Sequence, residues 1–436
     1  MDELFRRYLA ALGKTEWMPP EHLRDYQQGL LRQLVRHAHS QIPFYAKRLD
    51  CLLATGGEID LQRWAEVPIL SRTEAMAHSA EMRAGELPAA LGTIADHKTS
   101  GSDGAPVFFT VNSLARFAYN GALTRLARWH GADPGRPLAQ IRIYRQDVVP
   151  RYPEGQTTKS WSWADPDTDV FGLDMRTPVA DQIEWLLRHK APYLMTLPSN
   201  ALALAYAASP EIAKQLGFET IFSISETILP GARQFIADKL GAKLVGIYSC
   251  EEVGYVATEC PVAEHYHICS EMTFVEIVDD AGLPVAPGQP GRVLVTGLYN
   301  YATPFIRYDI GDVAIADPAP CVCGRSLPVL SQVLGRTRHA FVFRDGTRVW
   351  PRVWNAMAIR ALVPCREFQV VQLDFEKIEV RYVGDDRAGP VDIDGLRSYA
   401  REHLHGSVDI AAVRVESIAR GPGGKFDPFI SEVVLP

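Results

Sequence analysis

Ile183-Glu184-Trp185-Leu186-Leu187, then Tyr193-Leu194-Met195-Thr196-Leu197, then Ala201-Leu202-Ala203-Leu204-Ala205-Tyr206-Ala207-Ala208 follow one another with polar residues or proline between them. Short apolar runs alternate with amphipathic segments in this manner from about Ile94 to Val245. Such alternation is the pattern of an α/β domain whose strands are joined by crossover helices. Upstream, Leu30, Leu31, Leu34, Val35 and Ala38 recur at helical spacing before Pro43, so the first 50 or so residues read as a helical lead-in. Downstream of Tyr248 the texture changes. Thr273–Val278 runs into Asp279-Asp280-Ala281-Gly282, and Arg292–Thr296 follows Pro290-Gly291, which is hairpin chemistry. Beyond Gly335, the runs Phe368–Leu373, Lys377–Val383 and Ala412–Glu416, with a charged helix over Ile393–Leu404, predict a small α+β domain.

With 436 residues, two or more domains are expected, one of them large enough to bury a substantial sheet. Apolar residues are 47% and charged residues 22%, the composition of an ordinary globular protein. A net charge of -7 and a pI near 6.0 give no general attraction to nucleic acid or anionic membrane. The start, Met1-Asp2-Glu3-Leu4-Phe5-Arg6-Arg7, lacks the pattern of a secretory signal, and Ala201–Ala208 is far too short to span a bilayer. The expected compartment is cytoplasmic, and the expected partners are small molecules or proteins. Seven cysteines in a long chain suggest a metal site or free thiols in place of a disulfide scaffold.

Thr99-Ser100-Gly101-Ser102-Asp103-Gly104-Ala105-Pro106 is a hydroxyl- and glycine-rich loop after an apolar start, able to wrap N–H groups and hydroxyls around phosphate oxygens. By itself it reads sooner as an ordinary Gly/Ser turn. It is followed in order by Ser225-Glu226-Thr227, Tyr248–Glu252, Arg307–Asp312, Gly335-Arg336 and Gly424-Lys425, and preceded by Gln41-Ile42-Pro43-Phe44-Tyr45. With this series the chain resembles the adenylate-forming superfamily, and within it the phenylacetate-CoA ligase-like branch, over nearly its whole length.

The resemblance implies a large multi-layered α/β adenylation domain over 1–335 and a small mobile α+β lid over 336–436. It also implies roles. Thr99, Ser100, Gly101, Ser102 and Gly104 would hold ATP phosphates. Ser225, Glu226 and Thr227 would form part of the adenine wall, with Tyr248 stacked on the base. Glu252 would bind magnesium as a hard oxygen ligand. Asp312 would accept hydrogen bonds from the ribose hydroxyls, with Asp309 as the neighbouring competitor that could instead cap a turn. Arg336 would contact ribose or phosphate, and Lys425 would neutralise charge as a carboxylate attacks the α-phosphate. The implied reaction forms acyl-AMP and pyrophosphate, after which CoA displaces AMP once the lid rotates about Arg336–Arg338. Tyr152, Trp161, Trp163 and Phe171 suggest an aromatic acid, though such a stripe equally describes core. An amine or a carrier-protein thiol is the alternative acceptor. A nucleotide-binding regulatory protein without turnover is the alternative of a different class, and a homodimer is among the partner expectations.

Some members of the branch carry a structural zinc, for which Cys260, His267, Cys321 and Cys323 are the matching candidates; His265 and Cys269 share a strand face with His267 and could substitute. Three departures touch the expected chemistry. Asp103 stands where a hydroxyl residue is usual, Glu251 replaces a Ser or Thr before the magnesium glutamate, and Arg338 stands where a hinge Asp or Lys is expected. The phosphate-loop lysine of many relatives is absent, with Ala105 and Val107 around Pro106.

Overall fold

The computed structural model describes residues 2–99, 105–144, 149–350, 354–385, 389–404, 408–421 and 426–433, without the side chains of Asp2 and Arg338. The chain divides into two compact units, each assembled from three separate stretches.

The first unit comprises Met1–Arg136, Lys159–Asp169 and Gly246–Val333. Its lead-in is helical as predicted: Asp2–Thr15 is followed by Pro20–Gln41, which buries Leu31, Leu34, Val35 and Ala38 along one face. Pro43 then starts a single turn over Pro43–Ala46, since proline suits the first helical position and nowhere deeper. An antiparallel hairpin pairs Ile94–Lys98 with Phe108–Asn112 and feeds the helix Ser113–Trp129. The remaining strands form a hydrogen-bonded series, Thr273–Val278, Pro290–Gly297, Tyr308–Asp317, Val329–Arg336, Tyr266–Ile268 and Gly254–Glu259, ending on the last part of Lys243–Cys250. Alternate residues of these strands, among them Val293, Val295 and Tyr308, meet the apolar face of Pro20–Gln41 in one core with Tyr45, Trp64 and Phe305.

The second unit comprises Pro137–Thr158, Val170–Val245 and Leu334–Pro436. Here the stretch quoted at the outset folds as helix, strand, helix: Val179–His189, Tyr193–Thr196 and Pro198–Ala207. Tyr193–Thr196 lies between the parallel neighbours Leu138–Arg142 and Thr220–Ser223, and Asp169–Asp174 joins the far side of Leu138–Arg142. Tyr193–Thr196 is buried at all four residues, which explains why it reads as a continuous apolar run and not as an alternation. The helices supply Ile183, Trp185, Leu186, Leu204 and Ile236 to the core around these strands. From Leu334 onward a four-stranded sheet, ordered Asp409–Arg414, Lys377–Gly384, Cys365–Gln372 and Phe429–Ser431, packs with Ala356–Leu362 and Ile393–His403. Asn355 and Asp392 cap those two helices with their side chains. The fold is α/β. No described helix is long and apolar enough to cross a membrane.

Candidate functional site

Thr99 ends the strand Ile94–Lys98 and is buried; its hydroxyl accepts the N–H of Val107 at 3.0 Å, which pins the hairpin beside the loop. Ser100, Gly101, Ser102, Asp103 and Gly104 lie outside the described residues. On the two flanks that are described, one nitrogen of Arg72, Nη2, donates to Thr99 Oγ1 at 3.1 Å and to the carbonyl of Ala105 at 3.0 Å.

Glu252 follows the strand Lys243–Cys250 and is 7% exposed. Tyr308 Oη donates to its Oε1 at 2.8 Å, and Arg72 Nη1 stands 3.6 Å from the same oxygen. Burial raises the carboxyl above its ordinary value, against the opposing effects of the Tyr308 hydroxyl and the Arg72 charge. Glu251, by contrast, is exposed. The two aspartates of Arg307–Asp312 separate cleanly. Asp309 accepts Arg292 Nη1 at 3.1 Å and the N–H of Gly311 at 2.8 Å, so it caps its own turn. Asp312 instead accepts the hydroxyl of Tyr248 at 3.0 Å, joining two of the expected nucleotide residues. Arg307 is fully buried and binds Glu276 and the carbonyls of Ala65, Val67 and Gly282.

In the second unit, Ser225-Glu226-Thr227 follows Thr220–Ser223, with Ser225 at φ 69. Glu226 accepts the N–H of Ser199 at 3.1 Å and that of Phe426 at 3.1 Å. Burial raises its carboxyl, an effect these donors oppose. Lys425 itself lies outside the described residues, but the residue that follows it is thereby tied to Glu226. Gly335 sits at φ 104, where a side chain would be strained, and its Cα faces Thr227 within the same unit. Arg336 follows it, half-buried, at the end of Val329–Arg336. The four aromatics of the substrate expectation are divided between the two units. Trp161 and Trp163 belong to the first unit, Trp163 packing against Phe5 and Phe117, whereas Tyr152 and Phe171 belong to the second, beside Arg188 and His189.

The cysteine and histidine candidates converge in the first unit. Cys260 leaves the end of Gly254–Glu259, His267 lies on Tyr266–Ile268, and Cys321 and Cys323 come from the loop after Tyr308–Asp317. Cys260 Sγ is 3.7 Å from Cys321 Sγ, and Cys323 Sγ is 3.3 Å from His267 Nε2. Each of the three sulfurs accepts an N–H from the residue two ahead: Val262, Cys323 and Arg325. Cys51, elsewhere, is instead placed to donate its thiol to a carbonyl. His267 Nδ1 meets the carbonyl of Leu327 at 3.1 Å, and burial lowers the ring to about 4, so it is neutral, with Nε2 directed at Cys323 Sγ. His265 also joins, its Nε2 3.0 Å from Cys321 Sγ, and Cys260, His265, His267 and Cys321 lie within 4.8 Å of one another. Cys269 lies elsewhere, buried beside Arg125 and Glu271.

Sequence reasoning did not single out Arg72, Ser199 or the role of Tyr308. Tyr308 lies inside a quoted motif; Ser71, three residues before Glu74, marks the start of the helix Arg72–Ala77, and Ser71 does accept the N–H of Glu74 at 3.2 Å. Neither signal reveals what the Arg72 side chain reaches.

No family model matches the chain. It is 28% identical over 384 residues to a phenylacetate-coenzyme A ligase of Thermus thermophilus, covering 82% of this chain and 80% of the relative. A phenylacetate-coenzyme A ligase of Escherichia coli is 24% identical over 359 residues, covering 78% and 77%. Among solved structures, a 2-hydroxyisobutyryl-CoA ligase in its postadenylation state with R3-HIB-AMP superposes with a TM-score of 0.75 at 21% identity, covering 96% of this chain and 92% of that one.

Proposed function

We propose that this chain, a relative of the phenylacetate-coenzyme A ligases built on the adenylate-forming fold, activates a carboxylic acid with ATP as an acyl-adenylate and passes the acyl group to the thiol of CoA. The observation that carries the reading is Glu252: a carboxylate withdrawn from water, with a neutral hydroxyl as its hydrogen-bond donor and a guanidinium 3.6 Å away. A buried carboxylate so incompletely neutralised is the environment that a divalent cation completes. Magnesium, when bound there with ATP, would supply charge neutralisation across the phosphates.

The roles assigned to this chain's own residues are as follows. Thr99 and the residues 100–104 would hold the phosphates, Tyr248 and Asp312 the base and ribose, and Ser225-Glu226-Thr227 the adenine. Lys425 would meet the charge that develops as the acid's oxygen bonds to the α-phosphorus and pyrophosphate leaves. The thiol sulfur of CoA then bonds to the acyl carbon, its proton passing to solvent, and AMP departs with the electron pair of the broken acyl–oxygen bond. The lysine must withdraw for that second step, so residues 336–436 act as a lid turning near Gly335 and Arg336, and the bond from Phe426 N–H to Glu226 is one that the turn would break. An acid with an aromatic group is the substrate class we assign, and the cytoplasm the compartment.

Acid-dependent ATP–pyrophosphate exchange over a panel of aryl and alkyl acids tests this. Exchange with at least one acid, AMP release on adding CoA, and loss of exchange in Lys425→Ala are expected. AMP release only with an amine or a carrier-protein thiol would reassign the acceptor. Nucleotide binding without exchange for every acid would replace the enzyme by a regulatory nucleotide-binding protein.

We further propose that Cys260, Cys321, Cys323 and His267 hold a structural zinc. The support is the convergence of the three sulfurs with the His267 ring, each sulfur also accepting an N–H, and the Cys260–Cys321 separation of 3.7 Å. That separation matches the roughly 3.8 Å edge of a tetrahedral site with Zn–S near 2.3 Å. His265 Nε2, at 3.0 Å from Cys321 Sγ, is placed as a hydrogen-bond partner of that sulfur. One zinc per chain, kept in His265→Ala and lost in Cys321→Ser, is the expected result; zinc loss in His265→Ala would make it a ligand.

A further inference from the structure

We infer that Arg72 supplies the cation of the triphosphate site, a phosphate-binding residue that takes the place of the missing phosphate-loop lysine from a different element. The inference rests on the nucleotide reading above and concerns where its positive charge comes from.

The chain after the hydroxyl-rich loop reads Ala105-Pro106-Val107, so no lysine follows it. The loop's flanking residues are nevertheless gathered by a cation. Nη2 of Arg72 uses both of its hydrogens, one on Thr99 Oγ1 and one on the Ala105 carbonyl, and so bridges the two sides of residues 100–104. Nη1 lies 3.6 Å from Glu252 Oε1, outside hydrogen-bond length, and Nε is buried with no hydrogen-bond partner among the described residues. The fork therefore keeps donor capacity at Nη1 after Thr99 and Ala105 have been bound. The Arg72 side chain as a whole is 24% exposed.

The backbone explains why the arginine arrives there. Leu70 bridges to Tyr308 in parallel register; its N–H donates to the Arg307 carbonyl at 3.0 Å and its carbonyl accepts from Asp309 at 3.0 Å. Ser71 then caps the helix that Arg72 begins. The strand that brings the Tyr308 hydroxyl to Glu252 thus also fixes the segment that brings Arg72 to the same carboxylate. A planar guanidinium anchored on one side and open on the other suits phosphate oxygens, which it can engage through two donors at once. Beside a carboxylate expected to bind magnesium, it balances charge in the absence of ligand and meets the β- and γ-phosphates when nucleotide enters. The base and the ribose make no demand on it.

The test compares Mg-α,β-methylene-ATP, which cannot be split at the reacting bond, with AMP, both titrated calorimetrically into the full chain and into Arg72→Met and Arg72→Lys. Arg72→Met is expected to weaken the triphosphate by about tenfold or more while AMP stays within about twofold, because the lost charge faces the outer phosphates. Arg72→Lys should recover part of that loss, keeping the charge without the fork; if the methionine variant does not fold, the lysine variant decides by the same comparison. In exchange assays the KM for Mg-ATP rises and the KM for the acid does not. Equal losses for AMP and the triphosphate would make Arg72 a staple of the loop alone and overturn the inference, as would no loss for either. Unchanged exchange in Arg72→Met would sink the inference and leave the activation reading standing. Arg72-dependent triphosphate binding without exchange for any acid would do the reverse. A wild-type chain that binds neither nucleotide overturns both.

Discussion

Arg307 illustrates how a single residue can carry a motif for structural reasons. It occupies a left-handed backbone position at φ 48, and its guanidinium, buried with Glu276, saturates three backbone carbonyls from segments far apart in the chain. Removing it strands the Glu276 carboxylate, which burial already pushes upward. Arg307→Met is expected to destabilise by about 3–5 kcal/mol in urea unfolding, and Arg307→Met with Glu276→Leu to recover part of that loss, since no unpaired charge then remains buried. A double variant as unstable as the single one would refute this account. The arginine and its neighbouring aspartates are legible in the sequence as a cluster. Their division of labour is not, because Asp309 and Asp312 differ only in what the fold sets beside them, Arg292 in one case and Tyr248 in the other.

At the scale of elements, the C-terminal end of the parallel strand Asp169–Asp174 carries a test of electrostatics. Asp174 is buried, which alone would raise its carboxyl, yet the guanidinium of Arg176 at 2.7 Å, with the N–H groups of Arg176 and Tyr144, holds it below its ordinary value of 3.8. With the folded value below the unfolded one, the unfolded chain takes up the proton first on acidification. The contribution is therefore complete above the ordinary value and is lost as pH falls through the depressed one. Asp174→Asn should cost about 1–3 kcal/mol at neutral pH, with the gap to wild type closing only below about pH 4. A gap independent of pH would show that shape, not charge, is at work. Elements themselves were the readable part of this chain. The strand Thr273–Val278 and the helix Ile393–His403 fall where alternation and periodicity place them, because both patterns arise within a few residues. Asp279–Leu283 does close a tight turn, with Val278 bridged to Pro284, but the full partner strand Pro290–Gly297 is reached only after a further segment whose length turn chemistry does not encode.

For the whole molecule, the cysteine–histidine cluster offers a global readout. It ties the loop after Tyr308–Asp317 to two strands, with Cys260 and Cys321 separated by 61 residues. If zinc is held there, chelation at neutral pH should lower the melting temperature by several degrees and restore it on adding zinc back, with Cys260→Ser melting low and unresponsive. A chelated protein that melts unchanged would remove the structural role.

The sequence by itself determined the α/β class, the helical lead-in, the strand-rich section after Tyr248 and the order of the candidate motifs, since each depends on neighbours in the chain or on residue type. Only the tertiary structure decided that Arg72 reaches Thr99, Ala105 and Glu252, that His265 enters the thiol cluster while Cys269 does not, and that the residue after Lys425 is bound to Glu226. Those contacts join positions tens to hundreds of residues apart, and no local pattern records them because they exist only once the backbone has brought the segments together.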